Sequence, residues 1–154
     1  MRFHDRILLF ALLIITTTAC AGPAATASPD WQTYTNAEAG FSIQYPSAWK
    51  METLPDQNSG ALHAISLKGT EGGVDIHWGV GLGGGCTPEG IQKIKVAQGE
   101  LQTCYSKNAD GTEQWGNISK SLSGMGFSAH AYTTDTASSS HDLLLKVVST
   151  LSFP

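Results

Sequence analysis

Two cysteines, four histidines and an aspartate carry most of the chemistry this chain could perform. Cys86 and Cys104 lack Cys-x-x-Cys spacing, so their pattern supports neither a metal knuckle nor a thiol redox motif. A disulfide is the natural reading in an oxidising compartment, and closing such a loop stabilises a small domain by about 2–4 kcal/mol. His63, His77, His130 and His141 with Asp75 are ligand types that suit zinc, yet no H-x-H or H-x-x-x-H pair occurs. No metal or cofactor is therefore expected. His63 should instead pack across strands against Trp78, with the other histidines exposed. Gly79 to Gly84 spells G-x-G-x-x-G, with Glu100 about 20 residues further on. That fingerprint needs a strand feeding a long helix, and Pro88 leaves room only for a turn, so a loop is expected rather than a dinucleotide site. Serine is abundant, but no G-x-S-x-G elbow exists and the cysteines are taken by each other, so no catalytic residue is named. Among the aromatics, Trp49, Trp78 and Tyr45 suit core positions. Trp31 and Trp115, with Gly83 and Gly84 of the glycine run, are the candidate binding surface.

The elements that must position these residues follow from periodicity. Phe41, Ile43 and Tyr45 alternate with Ser42 and Gln44, the signature of a half-buried strand, which Pro46 stops. A second strand starts near Trp49, and 56–60 reads as a loop. Ala61 to Lys68 and Val74 to Val80 form a hairpin across Gly69 to Gly73. If Leu67 pairs near Val74, Ile65 meets Ile76 and His63 meets Trp78 on the core face, while Asp75 and His77 face the other way. Thr87-Pro88-Glu89 caps one helical turn. Strands resume at 93–97, 101–106, 114–119 and 125–132, with a hairpin tip at Asn108 to Gly111. Beyond Ser138, Leu143, Leu144, Val147, Val148 and Leu151 recur at helical spacing, with serines as caps and Asp142 in the first turn. The expected class is α+β, an antiparallel sheet with a C-terminal helix packed on it.

The first residues are an export address. Arg2 and Arg6 precede an apolar run from Ile7 to Ile15 that falls short of the ~20 residues a spanning helix needs, and small residues lead to Cys20. Residues 1–19 read as a signal peptide. Cys20 resembles the acceptor of a bacterial lipoprotein, which implies that it becomes the mature first residue and carries lipid, palmitate among its acyl groups. Thr17 stands where that pattern prefers Leu, and Ala19-Cys20-Ala21 also fits ordinary cleavage, which would release a soluble protein starting at Gly22. Residues 20–32 form the anchor and a flexible tether rich in Ala, Gly, Pro, Thr and Ser. The 154-residue chain leaves one domain, 33–154, beyond them. Its formal charge of −4 becomes −5 without Arg2, Arg6 and Asp5. No Lys/Arg run follows the leader, so nucleic acid and anionic lipid are poor partners, and membrane contact is expected to come from the lipid rather than from charge.

Tyr34 to Trp49 is an aromatic, a polar turn ending in Gly40-Phe41, an alternating strand and Tyr45-Pro46-x-x-Trp49. It resembles the opening of PsbP-like domains, which are named for an extrinsic photosystem II protein and widespread in bacterial surface lipoproteins. Leu144 to Phe153 is similar to that family's closing helix. The resemblance implies an α/β/α sandwich around an antiparallel sheet. The short stretch between Gly85 and Lys93 implies a reduced second helical layer. The family brings no shared catalytic residues, and its photosynthetic members act as binding subunits. It therefore implies an exported, lipid-anchored adaptor for an envelope protein or small ligand. The rival is a small secreted hydrolase whose site forms only in the fold.

Overall fold

Alternation of β-branched and aromatic residues with polar ones makes this a strand-built chain. The computed structural model describes residues 30–57, 62–80, 82, 84–122 and 124–154. Within them lie β1 (Trp31–Asn36), β2 (Phe41–Pro46), β3 (Lys50–Gln57), β4 (Leu62–Lys68), β5 (Gly72–Gly79), β6 (Ile91–Val96), β7 (Gly99–Lys107), β8 (Glu113–Leu122), β9 (Met125–Thr133) and α1 (Ser138–Ser149). Seven strands form one antiparallel sheet in the order β3-β4-β5-β9-β8-β7-β6, and β1 and β2 pair as a separate hairpin. A 3-10 turn at Pro88–Gly90 precedes β6. The leader, Cys20, the tether through 29 and Gly83 lie outside the described residues, as do Gly81 and most of the 56–60 loop.

The β4–β5 register pairs Leu67 with Val74, Ile65 with Ile76 and His63 with Trp78, as alternation predicts. It continues into β9, where Ala131, Ala129 and Phe127 oppose Val74, Ile76 and Trp78. This face is the core. Ile65, Leu67, Val74, Ile76, Ile118, Phe127 and Ala131 pack there against Leu144, Val147, Val148 and Leu151 of the closing segment and Phe41 and Ile43 of β2. Helical spacing at Leu144, Val147 and Val148 gives α1 one apolar stripe, which lies over β5, β6 and β9. The two ends of the chain meet there. Ser42 and Ser152 exchange backbone hydrogen bonds, both 2.9 Å, and the Phe153 ring meets Phe127 edge-on at 5.0 Å.

Several expectations are corrected. β1 begins at Trp31, inside the stretch read as tether, because β2 supplies the partner for a strand whose own residues, Gln32, Thr33 and Thr35, carry no apolar alternation. α1 starts from Ala137 without a side-chain cap; the Asp135 carboxylate accepts from the Ala137 N–H one step earlier, at 2.9 Å, and Asp142 lies beyond the first turn. Trp115 is 3% exposed on the core face rather than free for a partner. It is sandwiched by Tyr105, its neighbour in register, and by His141 of α1. Trp31 is half-buried beneath Lys146, whose Nζ lies 4.8 Å from the ring centre.

The opposite face of the sheet has no helix over it among the described residues. It is polar, with the His130 and Tyr132 rings among its groups. Gly73 explains part of its relief: a side chain there would meet the Tyr132 hydroxyl at 2.8 Å, so only glycine lets that ring lie flat across β5.

Phe127 is the contact point of β2, β9 and the C-terminus, touching Phe41 and Phe153. Phe127→Ala should therefore cost about 3–5 kcal/mol in urea-monitored unfolding, from lost transfer energy and an unfilled cavity. A loss under about 1 kcal/mol would mean that this junction is not packed as described.

Candidate functional site

The connection between β5 and β6 builds the site. β5 is central and β6 is at the edge, so the chain between them crosses β9, β8 and β7. It is fastened to each of the three. Leu82 sits over Gly126 of β9, where an added Cβ would lie 3.1 Å from the Leu82 Cβ. The Asn117 amide of β8 donates to the Gly84 carbonyl at 2.8 Å. Cys86 is bonded to Cys104 of β7, with Cα atoms 5.1 Å apart. The described residues Leu82, Gly84 and Cys86 thus take successive strands. Beside it a groove of about 500 Å³ is lined by Leu82, Gly84, Asn117, Ser119, Ser121 and Ser128, among others.

Asn117 is the pivot. Its φ of 53° is in the left-handed region that asparagine tolerates better than most residues, and it is alone in this among the described non-glycine residues. The cause is a bulge between Trp115 and Ile118, where β8 carries an extra residue against β9. That kink aims the amide at the strap.

A polar row runs along the same face from the strap's disulfide. Cys104 is paired with Gly116, the bulge sets Gly116 beside His130, His130 is opposite Asp75, and Asp75 is opposite Ser66. Ser66 is wholly buried and its hydroxyl donates to Asp75 Oδ1, so it is committed to the carboxylate rather than free to attack a substrate. Burial pushes the His130 imidazole below its ordinary pKa; Asp75 opposes that shift and His77 adds to it. Burial, helped by Asp75, raises the Tyr132 phenol. No three His, Cys, Asp or Glu side chains among the described residues converge as metal ligands. His63 is on the other face, its Nδ1 2.8 Å from Asp56 Oδ1 and its ring 5.7 Å from Trp78. His141 belongs to α1.

A second charged cluster lies on the helix side. Glu113 Oε1 accepts from the Tyr105 hydroxyl at 2.7 Å and Oε2 lies 2.6 Å from His141 Nδ1, with Lys107 Nζ at 3.7 Å. The Tyr105 and His141 hydrogen bonds hold the carboxyl below the usual glutamate range. The same carboxylate raises Tyr105. These contacts fasten the start of α1 to β7 and β8.

Of the candidate residues, Gly84 lines the groove, the Cys86–Cys104 bridge fastens the strap beyond it, and Trp31 and Trp115 lie elsewhere. Gly79 to Gly84 follows a strand flanked by antiparallel neighbours, with no helix after it among the described residues, so it has no dinucleotide-binding context. Asn117, Ser119 and Ser128 are not among the binding residues expected from the sequence. Their signal is the three-residue step from Trp115 to Ile118, which breaks period-two alternation and marks the bulge. No family model, curated protein or solved structure matches this chain.

Two outcomes follow. Asn117→Gly keeps the backbone but loses the amide bond, at about 1 kcal/mol, whereas Asn117→Ala also strains φ and should cost about 2–3 kcal/mol. Equal stability of all three proteins in urea titrations would remove Asn117 as the strap's fastener. Glu113 and His130 both have depressed pKa values in the folded state, so each contributes stability above its unfolded pKa that is lost as pH falls through the folded value. Stability should thus decline below about pH 6.5 and again below about pH 4.3. Glu113→Gln should shrink the lower step and leave the part that Asp110, held down by its Thr112 hydrogen bonds, contributes; an unchanged acid profile in that variant would contradict the assignment.

Proposed function

We propose that this protein is an exported, lipid-anchored binding or adaptor module of PsbP-like type that holds an uncharged polar ligand, or a polar segment of an envelope partner, in the strap groove. The observation that carries this reading is the polar part of the lining: hydroxyls of Ser119, Ser121 and Ser128, the Asn117 amide and glycine backbone, beside Lys120, Leu82, Met125 and Phe127. The hydroxyls and the amide both donate and accept, which suits a ligand bearing hydroxyls or amides, and Lys120 is turned to the Phe153 ring, its Nζ 4.5 Å from the ring centre. The row beside them argues for binding over turnover, because the buried Ser66 hydroxyl is engaged by Asp75. The PsbP-like assignment draws support from the two segments that carry the resemblance. They pack on each other through Ser42 and Ser152, and Gln44 N–H donates to Thr150 Oγ1 at 2.8 Å. Attachment would come from acyl chains on Cys20, and no described helix is long and apolar enough to cross a membrane.

Two measurements test the proposal. Mass spectrometry of the mature protein should find a lipid-modified Cys20; an unmodified N-terminus at Gly22 would overturn the anchor. Titration of isotope-labelled protein with neutral oligosaccharides and end-blocked peptides should shift the Asn117, Ser119 and Ser128 resonances, and Ser128→Trp should abolish the response by filling the groove. Ester hydrolysis that disappears in Ser128→Ala would instead establish the small hydrolase.

A further inference from the structure

Beyond the leader the chain has seven lysines and no arginine, and no two of the lysines are adjacent. The fold nevertheless gathers three of them. Lys93, Lys95 and Lys146 border one depression of about 440 Å³ between β6 and α1, with Ile94, Leu145 and Ser149 between them. All three are exposed; Lys93 and Lys95 stand on the side of β6 away from the buried Ile94, and Lys146 on the helix, so they flank the sheet edge from its two sides. Glu100 offsets part of this charge, since its carboxylate is 3.4 Å from Lys93 Nζ and it is opposite Lys95 in register. Asp142 stands one helical turn before Lys146. The domain is otherwise net acidic, so this edge is its cationic pole.

The pole borders the place where the tether enters. Trp31 opens β1, and Lys146 Nζ covers its ring. Ten residues separate Cys20 from Trp31. Ten residues can span at most about 35 Å. A lipid on Cys20 would therefore hold this edge within that distance of the headgroups.

We infer that the edge formed by Trp31, Lys93, Lys95 and Lys146 rests on an anionic phospholipid surface and orients the domain on its anchor. The inference rests on the lipid-anchor reading proposed above. The lysines contribute attraction to the negative leaflet, and tryptophan is at home at headgroup level. Because the lipid already supplies attachment, the patch has only to select an orientation, which weak contacts at high effective concentration can do. Charge run along the sequence gives no sign of this surface; charge assembled across β6 and α1 does. The orientation turns the β6 edge toward the bilayer and leaves the strap groove, at β8 and β9, away from it.

The test uses the mature protein, checked by mass spectrometry for acylation, on vesicles of phosphatidylcholine with or without phosphatidylglycerol. A water-soluble amine-acylating reagent then reads each lysine. Lys93, Lys95 and Lys146 should react several-fold more slowly on the anionic vesicles than on the neutral ones, and high salt should abolish the difference. Lys50, Lys68, Lys107 and Lys120 should react alike on both. Acylated protein with uniform lysine reactivity would overturn the orientation and leave the anchor standing. Protein lacking lipid, starting at Gly22, would overturn both. Protection of the three lysines by a polyglutamate peptide, with none on anionic vesicles, would assign the patch to an acidic protein partner and overturn the membrane assignment.

Discussion

The connection from β5 to β6 has to cross the sheet, and most of what distinguishes this molecule depends on that constraint. Four inter-strand steps cover about 19 Å, and the eleven residues 80–90 could reach about 36–40 Å if extended. The crossing chain therefore needs fastening to keep one path. Held loosely it would sweep the open face; held at three points it becomes a wall. Leu82, Gly84 and Cys86 supply those points, one for each strand crossed, and the groove exists because the wall does. The disulfide is more than a general staple in this setting, since it joins the strap's far end to β7 rather than closing a hairpin.

The two faces of the sheet divide the work. One buries Ile65, Ile76, Phe127 and their neighbours against α1 and β2, and its area supplies the hydrophobic stabilisation of a small domain. The other carries Ser66, Asp75, His130, Tyr132 and Ser128, with Ser66 bonded to Asp75 and Asn117 bonded to the strap. Apolar cover on the second face would stabilise the fold further and would close the groove. The Glu113 cluster belongs to the first face and secures the helix that covers it, which explains how a carboxylate, an imidazole and a phenol can meet without forming a binding cleft.

Legibility in the sequence followed the same division. The β4–β5 register, the Asn108 to Gly111 tip and the α1 stripe were readable because each is a local pattern bounded by turn residues. The Cys86–Cys104 pairing was readable by elimination. β1 was missed because its residues are mostly polar and its stability comes from pairing with β2. Trp115 was misplaced for a related reason: closeness to a hairpin tip suggested exposure, whereas α1 returns from far along the chain to cover it. The groove depends on strand order, which periodicity does not encode. Only the broken alternation between Trp115 and Ile118 marked it in advance, and even that shows a bulge without saying what the bulge faces.

The central claim is that the strap lies across β9, β8 and β7 in solution and thereby forms the groove. Nuclear Overhauser contacts between the Leu82 methyls and the Gly126 α-protons test it most directly. The oxidised protein should show them, together with slowed exchange of the Asn117 side-chain amide that donates to Gly84. Leu82 methyls at random-coil shifts, with no contact to Gly126 while the Cys86–Cys104 bond is intact, would contradict the account.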